Sequence, residues 1–230
     1  MSIKILIIWF ALLLSGPWLL GAGADPEVQA GGVLLTLPAP NPDFVESGDK
    51  LRTTLFELLV PSSNRLLSAY LPPQAISDLS AGKSAGAMDA YAMAQVPRRA
   101  EYADCTPQAF AQILKSLEPS MGKLLSDKVG QVEEEMNARL KSMDLGRIEF
   151  GHPEMLGGVF QKDDASGYAM LMAMKQGDHA TTMAGGFAVL RVKQRLVFAY
   201  LYRKYESPDT ITWLNKNLEA WSEAILSKNK

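Results

Sequence analysis

The chain is poor in the residues that most often carry chemistry. Its 230 residues include one cysteine, Cys105, and two histidines, His152 and His179. One cysteine cannot close an intramolecular disulfide or form a C-x-x-C redox pair. Two separate histidines do not make a His-rich zinc site, and no H-E-x-x-H occurs. His152-Pro153-Glu154 has the H-x-E of zinc deaminases without the cysteine pair that completes that site. There is no G-x-S-x-G element. Gly82-Lys83-Ser84 ends like a phosphate-binding loop, but the glycine required five residues earlier is Ser77. Charge is scarce and balanced: the net value is −2, and −3 once Lys4 is removed with the leader. No run of like charge exceeds three residues, which argues against a dedicated nucleic-acid or anionic-membrane surface. Cys105 itself reads as a small residue tucked in at a helix start.

What the chain does have begins at its N-terminus. Lys4 is followed by the apolar run Ile5–Leu14, the break Gly16-Pro17, and small residues at Ala22-Gly23-Ala24. This is the layout of a signal peptide cleaved before Asp25. The run to Leu20 is short of the ~20 residues of a spanning helix, so no stable membrane insertion is expected after cleavage. The expected product is exported, to the periplasm or the medium. Asp25–Lys50 carries Pro38, Pro40 and Pro42 and reads as a Pro/Gly-rich tether with one edge strand at Val33–Leu37. Residues 51–230 are expected to form a single domain large enough to bury a core without metal or disulfide.

Within that domain, Leu51–Val60 and Asn64–Leu71 read as strands joined by Pro61-Ser62-Ser63, and Met88–Val96 as either a strand or a helix segment, the strand being favoured. Thr106-Pro107 opens a helix whose Phe110, Ile113, Leu114 and Leu117 share a face. Pro119 ends it and Ser120 can cap another. That second helix carries the stripe Leu124, Leu125, Val129, Val132, Met136, Leu140 and Met143, with Glu135 and Arg139 paired on its solvent side. The run Glu133-Glu134-Glu135 reads as a solvated face. Short strands follow at Arg147–Phe150, Met155–Gln161 and Tyr168–Gln176, the last two joined by a turn at 163–167. In the last strand Tyr168, Met170, Met172 and Met174 share one face, while Ala169, Leu171 and Ala173 share the other. Both faces are apolar, so it should be covered on both sides. A methionine row either fills a core or lines an adaptable pocket.

Gly177–Gly186 reads as a loop. Phe187–Val192 and Leu196–Tyr205 then form a hairpin whose tight connection lies around Lys193-Gln194; it lacks the Asn-Gly of a favoured two-residue turn, which leaves a bulge or a slightly longer loop as the alternative. Ser207-Pro208 starts a closing helix with Ile211, Leu214, Leu218, Trp221 and Ile225 in one stripe. That helix can cover one face, leaving Thr106–Met143 to cover the other. The expectation is α+β: an antiparallel sheet with helices packed on both faces.

The hairpin and the Ser-Pro-Asp-started helix with Trp and Leu toward the sheet, over Gly146–Lys228, resemble the PsbP-like α/β/α sandwich and exported bacterial proteins of unknown function. That resemblance implies a non-enzymatic binding or assembly role and offers no catalytic residues. No catalytic, cofactor-binding or metal-ligating residue is assigned, and no cofactor is expected. The expected function is an exported non-enzymatic protein binding a partner protein or an apolar ligand, with no nucleic acid. The alternative is an exported hydrolase assembled from loop residues among Ser166, His152, His179, Asp163 and Asp164. Asp163 and Asp164 could also serve a calcium or magnesium ion, although a turn accounts for them. Tyr200, Tyr202 and Tyr205 with Arg203 and Lys204 could meet a ligand at the hairpin end, although strand packing accounts for them as well.

Overall fold

The computed structural model describes residues 25–82, 88–117, 121–142, 148–176 and 179–230. The leader, Lys83-Ser84, Ser120, Met143 and Gly146-Arg147 lie outside them, as do the side chains of Leu124, Leu125, Val129 and His179. The fold is α+β, as expected. A two-stranded hairpin, β1 (Glu27–Ala30) and β2 (Val33–Thr36), precedes a curled antiparallel sheet. The sheet comprises β3 (Val45–Glu46), β4 (Asn64–Leu71), β5 (Ala90–Pro97), β6 (Ile148–Phe150), β7 (Glu154–Lys162), β8 (Ala165–Gln176), β9 (His179–Val192) and β10 (Arg195–Lys204). Its order is β3-β4-β5-β10-β9-β8, with β6 and β7 sharing the outer edge of β8.

Helices cover both faces. The first face takes the closing helix, Pro208–Lys228, which buries Leu214, Leu218, Trp221 and Ile225 completely. Pro208 occupies the first helical position, and the Thr210 hydroxyl accepts from the backbone N–H of Ser207. The second face takes four helical segments, α1 (48–59), α2 (Pro73–Ser80), α3 (Pro107–Leu117) and α4 (Met121–Ser142); the closing helix is therefore α5. The Thr106 hydroxyl accepts from Ala109 N–H at 3.1 Å, the cap expected at the start of α3.

Several expectations are corrected. Leu51–Val60 is helical, with a π turn over Arg52–Phe56, because Leu51, Leu55 and Leu59 also fall at helical spacing. A short apolar run fits either period. Here the helical stripe meets Ile76 and Leu79 of α2 over β4 and β5. Gly177–Gly186 is not a loop from His179 onward, since β9 begins there. The turn before β8 is only Asp163-Asp164. The β9–β10 connection does fall at Lys193-Gln194, and it is a two-residue turn without a bulge, with both residues in the left-handed region (φ 46° and 63°). Tertiary bonds hold that costly conformation: Gln194 C=O accepts from Cys105 N–H at 2.8 Å, and Lys193 Nζ donates to Leu34 C=O.

Asp25–Lys50 is not a tether. Leu35, Leu37 and Phe44 are buried against the first face. Tyr70 OH donates to Leu37 C=O at 2.6 Å, and Trp221 Nε1 donates to Pro38 C=O at 2.7 Å. Asn229 both donates to and accepts from the Thr36 backbone. At the hairpin tip, Glu101 accepts from Gly31 N–H and pairs with Arg65, whose guanidinium also reaches Gln29 C=O. Arg65 holds the Glu101 carboxyl below its ordinary range.

The Glu133–Glu135 run is not simply a solvated face either. Glu135 accepts from Ser62 N–H, Glu133 accepts from Phe150 N–H, and Arg139 donates to the Glu57 and Val60 carbonyls. Glu135 and Arg139 do pair, at 3.7 Å, but across the end of α1.

Two adjacent glycines set the depth of the sheet's cover. A Cβ on Gly186 would stand 3.1 Å from Leu218 and 3.3 Å from Leu214, so glycine lets α5 settle on β9. A Gly186→Val substitution should lift α5 and cost about 1–3 kcal/mol, read as a lower urea midpoint at unchanged slope.

Candidate functional site: an apolar cavity under the second face

On the second face, cross-strand pairing aligns side chains into rows. Tyr168, Phe187 and Tyr200 are direct neighbours across β8, β9 and β10, with ring centroids 5.2 and 6.2 Å apart. Beside them Met170, Gly185, Tyr202 and Tyr91 form the next row across to β5. Tyr91 and Tyr202 stack at 4.7 Å, and Tyr200 lies parallel to Tyr202 at 6.4 Å. Such pairs are the units that stabilise a sheet face.

The helices do not fill this face. Between it and α3, α4 and β6 lies a cavity of about 350 Å³. Met170, Met172 and Met174 of β8 form its floor, and Leu117, Met136 and Phe150 belong to the opposing wall. Gly185 lets the wall residues Tyr202 and Met170 lie close over β9, because a Cβ there would stand 3.0 Å from the Tyr202 ring and 3.2 Å from the Met170 methyl and would push them toward the cavity. The cavity is thus the pocket alternative for the methionine row, and the row's alternation was its sequence signal. The contributions of Phe150, Leu117 and Met136 carried no such signal, because distant segments bring them in.

The wall holds no charged side chain among the described residues. Its polar residues are Gln95, Tyr91, Tyr200 and Tyr202. The Gln95 carbonyl oxygen accepts from Asn64 Nδ2 at 2.9 Å. Burial raises all three tyrosines: Tyr202 is pushed up to about 12, and Tyr200 and Tyr91 are raised well above the ordinary phenol value, with Tyr202 adding to both. These phenols are protonated donors throughout the physiological range.

The scattered residues of the alternative hydrolase are not brought together. Ser166 pairs with Val189 and His179 with Gln176, at opposite ends of β8, roughly 30 Å apart at ~3.3 Å per residue. His152 is exposed and follows Gly151, whose N–H bonds Ala173 C=O, so it too lies far along β8 from Ser166. Ser166 is buried, and its nearest hydrogen-bond acceptor is Phe160 C=O at 3.4 Å. Asp164 is paired with Arg191 at 2.5 Å. Among the described residues, no group of three or more His, Cys, Asp or Glu side chains could hold a metal. Arg203 stacks on Trp213 at 4.6 Å, Lys204 pairs with Asp89, and Tyr205 packs against the first-face core, so only Tyr200 and Tyr202 of that group reach the cavity. Cys105 is buried beside Phe110 and Leu114, where burial pushes its thiol up, away from reactivity. No helix among the described residues is long and apolar enough to cross a membrane.

An α+β sheet sandwich with an apolar chamber under one face is therefore the class this chain belongs to by structure. No protein-family description and no curated protein sequence matches it. Among solved structures it is similar to the Saccharomyces cerevisiae Ran-binding protein Mog1p, at 14% identity over 88% of this chain and 89% of that one, with a TM-score of 0.29. It is likewise similar to a mutant of the protein Mog1, at 14% identity over 89% and 92%, with a TM-score of 0.33. Both scores are low, and neither likeness bears on function.

The tyrosines predict an alkaline limit. In the unfolded chain each phenol ionises near 10.0, whereas in the folded chain Tyr91, Tyr200 and Tyr202 ionise much later. The folded state then holds more protons, so their contribution is intact below pH 10 and is lost as the pH rises toward and past 12. Denaturant titrations across that range should show falling stability, and Tyr202→Phe should flatten the fall; an unchanged slope in that variant would contradict the assignment.

Proposed function

We propose that this protein is an exported, non-enzymatic binding protein that holds a small apolar molecule in the cavity beneath the methionine face. The observation that carries this reading is the chamber itself: about 350 Å³, framed by methionines and aromatic rings, where two helices would otherwise complete a core. A packed interior leaves few voids larger than a water molecule. This volume falls within the range of small-molecule sites, and it is about twice that of the ~150 Å³ apolar cavity that takes up benzene. It suits a body of two fused rings or a chain of roughly a dozen carbons. Methionine thioethers adapt to such shapes because their side chains are unbranched and polarisable.

The reading without chemistry rests on the separation of Ser166 from both histidine positions and on the occupied carboxylate of Asp164. Export rests on the sequence of residues 1–24 alone, so N-terminal sequencing of the protein recovered from its native compartment should begin at Asp25. A chain that retains Met1 and sits in the cytoplasm would overturn that part.

Binding is tested with an uncharged fluorophore such as N-phenylnaphthylamine, together with mass spectrometry of solvent extracts of the purified protein. The probe should brighten on binding. Gly185→Leu, which projects a side chain between Tyr202 and Met170, should weaken it by about tenfold or more, the effect of filling an apolar site. Its circular dichroism should match the parent's. Equal binding by a correctly folded Gly185→Leu, or no binding by the parent, would refute the cavity as the site.

A further inference from the structure

We infer that the cavity selects a ligand with a neutral hydrogen-bond-accepting head, such as a ketone, ester or quinone oxygen, on its apolar body, and that Tyr91, Tyr200 and Tyr202 recognise that head. The inference rests on the cavity being a ligand site, as proposed above. Its own support is independent of the methionines. Buried tyrosine hydroxyls ordinarily find a partner. Tyr70 illustrates the rule on the first face, with its hydroxyl on Leu37 C=O. By contrast, Tyr91, Tyr200 and Tyr202 are half-buried in the wall, and their hydroxyls have no hydrogen-bond partner among the described residues. All three rings belong to the cavity wall and stack on one another through Tyr202. The chamber therefore has three unused phenol donors in one region of an otherwise apolar wall.

The chemistry of the head follows from what surrounds them. With no cation among the described wall residues, a carboxylate entering the chamber would lose its hydration without a counter-charge, at far greater cost than a neutral oxygen. A ligand with no polar atom would leave the phenols as unpaired as they are now. A neutral acceptor satisfies at least one of them and costs little to desolvate. Burial holds the phenols protonated, so they are present as donors. Gln95 is the remaining polar wall residue, and its carbonyl oxygen is engaged by Asn64.

The test compares three probes with one two-ring body: naphthalene, its methyl ketone (acetylnaphthalene) and its carboxylate (naphthoate). Each is titrated into the purified chain and into the Tyr200→Phe/Tyr202→Phe variant, with Tyr91→Phe as a second variant. The ketone should bind the parent about five- to tenfold more tightly than naphthalene, the equivalent of one neutral hydrogen bond. It should also outbind the carboxylate. The phenylalanine variants should keep the parent's circular dichroism and urea midpoint, which report an intact fold, and should lose the ketone's advantage over naphthalene. Equal affinity for naphthalene and the ketone, or tightest binding of the carboxylate, would overturn this inference and leave the cavity reading standing. Retention of the ketone preference in all phenylalanine variants would overturn the assignment to the tyrosines. Failure of every probe on the parent would instead remove the cavity reading on which the inference rests.

Discussion

The structure depends on a sheet whose central strands are apolar on both faces. Such a sheet cannot leave either face to water, so each must be covered, and the two covers differ in kind. On the first face, α5 comes down close because Gly186 presents no side chain to Leu214 and Leu218. On the second, a cavity lies between the sheet and its helices, and the adjacent Gly185 lets Met170 and Tyr202 lie close over β9. Consecutive residues of a strand face opposite sides. One Gly-Gly pair in β9 thus serves the close packing of a helix above and of two cavity-wall side chains below.

The first face is tied with hydrogen bonds as well as with apolar contact. Tyr70, Trp221 and Asn229 each bond the backbone of the segment 36–38, drawing the N-terminal hairpin onto α5. The Arg65–Glu101 pair fixes the hairpin's tip, where Gly31 passes so close to the Glu101 carbonyl that no Cβ could fit. Polar side chains of α4 do comparable work on the other side. Arg139 gathers the last carbonyls of α1, and Asn137 bonds both backbone groups of Ile148. In this way an edge and a helix end, each with unsatisfied backbone groups, are closed by side chains that look like ordinary surface residues in the sequence.

These ties explain why the cavity can persist. A collapse of α3 and α4 onto the methionines would have to break the bonds that hold α4 to α1 and β6. The chamber is therefore framed by polar contacts at its rim and lined by side chains that can shift without breaking any. The aromatic rows give one wall a fixed surface, since each ring is braced by its cross-strand neighbour, while the methionines of β8 supply adaptable surface.

Local pattern alone determined the elements with a strong period or a clear start: α3 from Thr106-Pro107, α5 from Ser207-Pro208, the alternation of β8, β9 and β10, and the need for cover on both faces. It also marked the methionine row as either core or pocket. Where a short run fitted two periods, as in Leu51–Val60, packing against α2 chose the helix. The prolines of 25–50 suggested a free tether, because the hydrogen bonds that bind this segment come from residues 70, 221 and 229, far away in the chain. The place of the turn at Lys193-Gln194 was legible, but the bonds to Cys105 and Leu34 that hold it were not. Whether the methionines were filled over or left open could be decided only by tertiary structure, since the volume between two layers depends on how closely distant helices approach. That distance is set by contacts no stretch of sequence contains by itself.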